Sequence, residues 1–487
     1  MNTVEEVLAN YQPVIGLEIH IQLQAESKVF GREAMGFGHA PNTLVSSLTY
    51  SHPGTLPWFN QACIDQMLKL GLALGCEINP ASHFDRKNYF YPDLPKGYQI
   101  TQDRAPLCQG GEIQFPQTDG TLASVSLDRI HLEEDAGKSL HEELATASLI
   151  DLNRAGTGLA ELVTRPDLRS AEAAGAMLAE VRRIVRYLGV SDANMERGNL
   201  RCDANVSIMP VGSTRFGTRV EVKNLNSINY LIRAIKHEIV RQADLLDQGK
   251  TVRQETRLWD HGRQKTFPMR DKESVTDYRY FPEPDMPPIA LSQEKIAKFK
   301  SEQPSLPAQR WRQYQEWGLP RNEALVIVED RAWAEYFEAV SELSQDAKAA
   351  STWVLGPLRT MLKEQGLAIE QCPLSPQPIA QLMRLVKEGK LSFTLAKEQL
   401  LPLMMSQPQG DPESLAEQNG LLASTNSGEL DQAMLALMEK HPAEVQRYKK
   451  GKKNLKGFFV GQLMRAFQGK ADPKVVNQVV QQALDSN

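Results

Sequence analysis

VIGLEIHIQL, residues 14–23, alternates without a break: Ile15, Leu17, Ile19, Ile21 and Leu23 fall on one side, Glu18, His20 and Gln22 on the other. Period two is the mark of a half-buried strand. LRCDANVSI (200–208) repeats the pattern, with Leu200, Cys202, Ala204, Val206 and Ile208 opposite Arg201, Asp203, Asn205 and Ser207. The turn-rich PVGSTRFG (210–217) leads into TRVEVKN (218–224), so these two strands read as a hairpin. LDRIHLEED (127–135) alternates as well, placing His131 and Glu133 opposite Ile130 and Leu132. Several strands of one kind predict a sheet with an apolar and a polar face.

Helices punctuate the strands. Ser170 is a candidate N-cap for a helix whose apolar stripe is Met177, Val181, Ile184, Val185 and Leu188, stopped by Gly189. YFPEPDMPP (280–288) is a rigid exit from the strand-rich part. Beyond about residue 297 the apolar spacing becomes helical, as at Trp333, Tyr336, Phe337 and Val340. QPQGDP (407–412) reads as a linker, and Pro473 lies near the start of a last helix. The expected class is therefore α+β. A strand-rich cradle with a polar basin (1–297) precedes a helical domain (298–408) and a helical tail (409–487).

The net charge is −5 over 487 residues, so nucleic acid could be held only by a local basic patch. One exists: nine Lys or Arg against Asp472 alone between Arg447 and Lys474. Lys449, Lys450, Lys452, Lys453, Lys456, Arg465 and Lys470 are candidate phosphate contacts, although a solvated helix surface also looks like this. Five cysteines, far apart and without a CxxC pair, point to a reducing compartment. The N-terminus has neither a secretory h-region nor Arg-rich transit character, and a cytoplasmic location is expected.

The polar strand faces are the candidate chemistry. Glu18 and His20 project together, about 7 Å apart along the strand. A single E-x-H is more often a solvated sheet face. Here His131, Glu133, Glu134 and Asp135, then Asp203 and Asn205, Glu221 and Lys223, and Glu255 and Arg257 repeat the theme. Hard oxygen ligands with an imidazole suit Mg²⁺ or Mn²⁺ rather than structural zinc. DAGKS (135–139) imitates a P-loop, but Leu132 stands where the motif needs glycine. HFDRKNYFYPDLPKGYQIT (83–101) interleaves basic and aromatic residues, which could stack bases or simply cover a core. Cys202 falls on an apolar face, and no G-x-S-x-G elbow occurs, so nucleophilic catalysis is unsupported.

VIGLEIHIQL, FDRKNYFYPDLPKGYQIT, RIHLEEDAGK, DLNRAGTGLAELV, YLGVSDANMERGNLRCDANVS, EVKNLNSIN, QETRLWD and DYRYFPEPDMPP occur in this order. Together with the C-terminal FFVGQLMRAFQGKADPKVVNQVVQQAL they resemble the B subunits of the bacterial tRNA-dependent amidotransferases along the whole chain. The resemblance implies an ATP- and Mg²⁺-dependent ligase that phosphorylates the side-chain carboxylate of Glu-tRNA(Gln) or Asp-tRNA(Asn). Ammonia from an amidase-type A subunit then displaces the phosphate, and a small C subunit completes a heterotrimer. It implies metal ligation by His20 and Glu134, with Glu18, Glu133 and Glu255 contributing. It places Lys87, Asp203, Asn205 and Lys223 along the reaction basin or the ammonia path. Relatives that carry a zinc hold it on cysteines, and residues 31–57 contain none, so no zinc is expected. A non-catalytic tRNA binder and a metal-dependent hydrolase acting alone are the rival readings.

Overall fold

The computed structural model describes residues 3–140, 147–269, 278–422, 427–467, 471 and 473–485. It divides into two compact units, Met1–Arg310 and Trp311–Asn487. In the first, strands follow one another as β1 (Tyr11–Gln22), β2 (Glu77–Ile78), β3 (Ala81–Ser82), β4 (Asp85–Asn88), β5 (Tyr98–Thr101), β6 (Cys108–Gln109), β7 (Glu112–Pro116) and β8 (Leu122–Glu134). Then come β9 (Lys138–Leu140), β10 (Leu149–Asp151), β11 (Gly158–Thr164), β12 (Leu200–Pro210), β13 (Val220–Lys223), β14 (Thr256–Asp260), β15 (Lys265–Pro268), β16 (Phe281–Pro282) and β17 (Ile289–Ala290). The large sheet runs β15-β14-β13-β12-β1-β11-β8-β6-β2, with β7 also on β8. Its pairs are antiparallel except β13 with β14. A small sheet, β16-β4-β5, stands apart from it.

β1 lies at the centre because both its edges are used. It pairs with β12 from Tyr11↔Pro210 to Ile21↔Leu200 and with β11 from Glu18↔Val163 to Gln22↔Leu159. Its apolar face is sealed: Ile15, Leu17, Ile19 and Ile21 are at most 1% exposed. Burying each such side chain contributes about 1.5–3 kcal/mol. The helices α1 (Val4–Leu8), α2 (Gln61–Ala73), α3 (Ala171–Tyr187) and α4 (Ile228–Asp247) belong to this unit, and the apolar sides of α2, α3 and α4 join the same core. α3 matches its expected start and stop: Ser170 accepts from the Ala173 N–H at 3.1 Å, and Gly189 adopts φ +63°. DAGKS joins strand to strand rather than strand to helix, which removes the context a P-loop requires.

The division after Arg310 falls later than the change of pattern at 297. The helix Gln293–Ser301 stays with the first unit: Lys295 pairs with Asp65 at 2.6 Å, and Ile296, Phe299 and Leu306 pack on its core. The described part of the second unit is helical, and its last helices enclose a core of Leu430, Met434, Tyr448, Phe459, Leu463, Val476, Val480 and Leu484. QPQGDP lies between the helices Leu401–Ser406 and Pro412–Gln418, with Asp411 capping the second. Among the described residues no helix is long and apolar enough to cross a membrane.

Ile19→Ala is expected to remove about 2–5 kcal/mol of stability and Ile19→Val about 0.5–1.5 kcal/mol. Urea unfolding followed by tryptophan fluorescence measures both. An unchanged midpoint in Ile19→Ala would mean that this face does not anchor the sheet.

Candidate functional site

Antiparallel register turns the polar faces of separate strands into rows. His20 sits opposite Arg201 on β12 and opposite Glu161 on β11, and Glu161 sits opposite His131 on β8. Directly opposed residues share a face, so Arg201, His20, Glu161 and His131 form one row across four strands. Glu18 and Asp203 are opposed in a parallel row. Beyond them Lys223 reaches Asp203 at 2.7 Å and Glu221 at 2.8 Å.

Side chains converge where the rows meet Glu133. The His20 Nε2 lies 3.5 Å from Glu161 Oε2 and 3.7 Å from Glu133 Oε1. The His131 Nε2 lies 3.3 Å from Glu161 Oε2 and 3.8 Å from Glu133 Oε2. His131, Glu133 and Glu161 are buried, and His20 is half-buried. Burial pushes Glu161 up, but the charge and hydrogen bonds of the two imidazoles win and hold it well below the usual carboxylate range. Reciprocally, burial pulls both imidazoles down, while Glu161 and Glu133 outweigh it. His20 is held above its ordinary value, and His131 is raised to about 9. Glu18 is pushed up to about 7, by burial and then by Glu161.

Among the described residues, two sets of ligand atoms lie within 4.8 Å of one another: His20 with Glu133 and Glu161, and His20 with Glu18 and Asp203. Oxygen-rich sites with one shared imidazole accept Mg²⁺ or Mn²⁺. The donor set therefore fits a divalent cation. Without a metal, the carboxylates hold both imidazoles toward their protonated form.

The small sheet delivers further groups. Thr101 on β5 donates to Glu133 Oε2 at 3.3 Å. Lys87 on β4 holds its ammonium 4.9 Å from the Tyr278 ring centre and 6.0 Å from that of Tyr89. Burial lowers the Lys87 pKa, but Glu133 above all raises it past its ordinary value, so the side chain stays charged. Lys223 is likewise raised, against burial, by Asp203 and Glu221. Asn205 is half-buried on the polar face, in register with Gly16 and Glu221.

Of the expected metal ligands, Glu18, His20 and Glu133 come together, whereas Glu134 and Glu255 do not join them. Glu134 follows Glu133, so strand alternation turns it to the opposite face. There it accepts from the Ile100 N–H at 2.9 Å and pairs with Lys96. It lines a small cavity with Lys28, whose pKa burial pulls down to about 8. Glu255 faces the α4 side, 2.5 Å from Arg257 and 3.8 Å from Arg241. Glu161 is absent from the residues that sequence reasoning selects, yet it is the hub. A signal for it exists, because Glu161 is the one charged residue in GLAELVT, and its neighbours are apolar. Alternation places His131 on the polar face without assigning it to the metal.

The basic–aromatic segment 83–101 divides its labour. Arg86 pairs with Glu283 at 2.7 Å and lies over Tyr98 at 4.2 Å, while Phe90 is 80% exposed. In the tail, Lys449, Lys450, Lys452, Lys453 and Arg465 are exposed and Lys456 is half-buried. Lys453 is also engaged, 3.3 Å from Asp485 and 4.1 Å from the Tyr448 ring centre. Lys470 lies outside the described residues.

A polar basin on a largely antiparallel sheet, followed by helices, has a counterpart among known families. Residues 13–297 match the family described as the GatB/GatE catalytic domain, and residues 335–484 match the GatB domain. The class is thus that of GatB/GatE catalytic subunits. A relative from Thermosynechococcus vestitus, named as the B subunit of an aspartyl/glutamyl-tRNA(Asn/Gln) amidotransferase, is 46% identical over 492 residues, covering 99% of this chain and 98% of its own length. Relatives of the same name from Crocosphaera subtropica (43% over 496 residues, 100% of both chains) and Synechococcus elongatus (44% over 494 residues, 99% of this chain and 100% of its own) are similar along their full lengths. The chain belongs to the family of aspartyl/glutamyl-tRNA(Asn/Gln) amidotransferase B subunits.

His131 stabilises the fold only while protonated. Its contribution is complete below its ordinary value near 6.5 and is lost as the pH rises through about 9. Chelator-treated protein should therefore lose stability between these values, with a shallower slope in His131→Gln. Denaturant midpoints across this range measure it, and equal slopes in the two proteins would refute the pairing.

Proposed function

We propose that this chain carries out the ATP-dependent activation step of tRNA-dependent amidation. The side-chain carboxylate of Glu-tRNA(Gln), of Asp-tRNA(Asn) or of both attacks the γ-phosphorus of ATP, and ADP leaves. Ammonia then attacks the carbonyl carbon of the acyl phosphate, phosphate departs, and the nitrogen gives up a proton to a carboxylate of the basin. Ammonia is supplied by glutamine hydrolysis in an amidase-type A subunit, with a small C subunit completing the complex. The carrying observation is the His20–Glu133–Glu161 cluster, set in a unit that matches a catalytic domain. The relatives are named as B subunits, which supports a multi-subunit assembly acting on tRNA.

A carboxylate is a poor acceptor for ammonia, which is why it needs activation. Phosphoryl transfer asks a protein chiefly for positioning and charge neutralisation. His20, Glu133 and Glu161, with Glu18 and Asp203, would hold a divalent cation, and such a cation would supply that neutralisation. The charged Lys87, beside Glu133, offsets the negative charge of the approaching carboxylate. Lys223 holds Asp203 in place at 2.7 Å. Asn205 offers an amide to the same face. A pure tRNA binder would have no use for a buried carboxylate–imidazole cluster, which is costly to fold. The exposed tail cations provide the phosphate contacts.

Two measurements test this reading. In the assembled complex, His20→Ala or Glu161→Gln should slow the ADP release that depends on misacylated tRNA by about a hundredfold or more. Glutamine hydrolysis and tRNA affinity should stay near wild type. Normal ADP release in both variants would move the kinase site elsewhere. Separately, neutralising Lys449, Lys450 and Lys452 together should reduce the slope of log affinity against log salt by about two to three. An unchanged slope would remove the tail from the tRNA interface.

A further inference from the structure

The second unit holds a groove of about 490 Å³ that the proposed chemistry does not use. One wall is the helix Pro376–Lys387, which lines it with Gln377, Ala380, Gln381, Arg384 and Lys387. These positions recur at spacings of three and four, so they form one stripe, and the groove follows this helix for about 15 Å. The other wall is the helix Ala347–Trp353, through Ala349 and Trp353. The floor is apolar: the rings of Trp353 and Phe393 have their centres 4.7 Å apart. Trp353 is 3% exposed, whereas Phe393 stays 41% exposed. Each ring stands shortly before a π-helical turn, Val354–Leu358 and Ala396–Leu400, a distortion that recurs at functional sites.

The walls decide the shape of what can fill the groove. Both are helices, whose inner peptide groups are already bonded within the helix. They offer no ladder to an extended chain, which would bury unpaired peptide groups on the apolar floor. A helix brings its own backbone bonds and can lay side chains at i, i+3, i+4 and i+7 along the stripe. Ala349 and Ala380 are short where such a helix must come close. Base stacking fits less well, because the buried Trp353 offers no open ring face. Charge selects the partner. The lining carries Arg384 and Lys387 against Asp346, a local positive excess on a chain of net charge −5. Lys387 lies 3.7 Å from Asp346 and Arg384 4.0 Å from Glu388, and both cationic side chains are more than half exposed. We propose that this groove docks an acidic amphipathic helix of a partner protein. Its apolar stripe would rest on Trp353 and Phe393, and its carboxylates would face Arg384 and Lys387.

Fluorescence anisotropy with the full chain tests the proposal. The probes are two labelled synthetic helical peptides with leucine at i, i+3 and i+7. One carries glutamate on its flanks, and the other carries lysine at the same positions. The acidic peptide should saturate the wild-type chain below about 1 mM, and at low salt it should bind about tenfold more tightly than the basic one. Arg384→Glu should remove or invert that preference, and Phe393→Ala should weaken the acidic peptide by about tenfold. Arg384 is exposed, so the thermal midpoint of its variant should not change. The comparison of the two peptides on wild type needs no variant at all. Equal binding of the two peptides, or saturation by neither, overturns the proposal. Displacement of the acidic peptide by tRNA, lost in Arg384→Glu, would overturn it in favour of a nucleic-acid surface. A dimer in sedimentation that the peptide dissociates would overturn it in favour of a second copy of this chain.

Discussion

Glu161 is 7% exposed, and one oxygen of its carboxylate meets both His20 and His131, at 3.5 and 3.3 Å. A buried carboxylate without a partner costs several kcal/mol, so this anion needs a cation, whether imidazolium or metal. Glu133 faces the same demand beside it and shares the same two imidazoles. Removing one partner leaves another charge buried and unpaired. The cluster therefore stands or falls as a unit, and the strands that hold it must keep their register. A slip of one residue on β11 would turn Glu161 to the apolar side and put Leu162 among the charged groups.

The same sheet carries charges on its other side. Glu134 with Lys96, and Glu238 with Arg257 and Arg241, are buried opposite the basin. They satisfy one another there, with Thr266 donating to Glu238 at 3.2 Å and Gln242 to Val206 O at 3.1 Å. These pairs tie the small sheet and the helix α4 to the large sheet. The basin is thus built on a layer that is polar on both faces around β8 and β14. Counting acidic residues by motif cannot separate the two sides.

Much of the basin is legible in the chain itself. β1, β8, β12 and β13 each alternate cleanly, which places Glu18, His20, Glu133, Asp203 and Lys223 on polar faces. Glu134 and Glu255 group with them through the acidic motifs that contain them and through the family resemblance, not through alternation. Alternation within LEED and QETR already sets Glu134 apart from Glu133, and Glu255 beside Arg257. Glu161 escapes notice because its strand is buried on both faces and lacks an alternating polar signal.

Sequence alone determined which residues alternate, where α3 starts and stops, and that the later chain is helical. Those features depend on local period, capping and glycine, which need no distant partner. Tertiary structure alone decided that β11 lies between β1 and β8. It also decided that Arg201, His20, Glu161 and His131 share one row. These residues are more than a hundred positions apart at the extremes, and nothing in local chemistry encodes cross-strand register. It is set by packing the apolar faces of β1, β8, β11 and β12 onto a single core, which leaves their charged side chains no other place to meet.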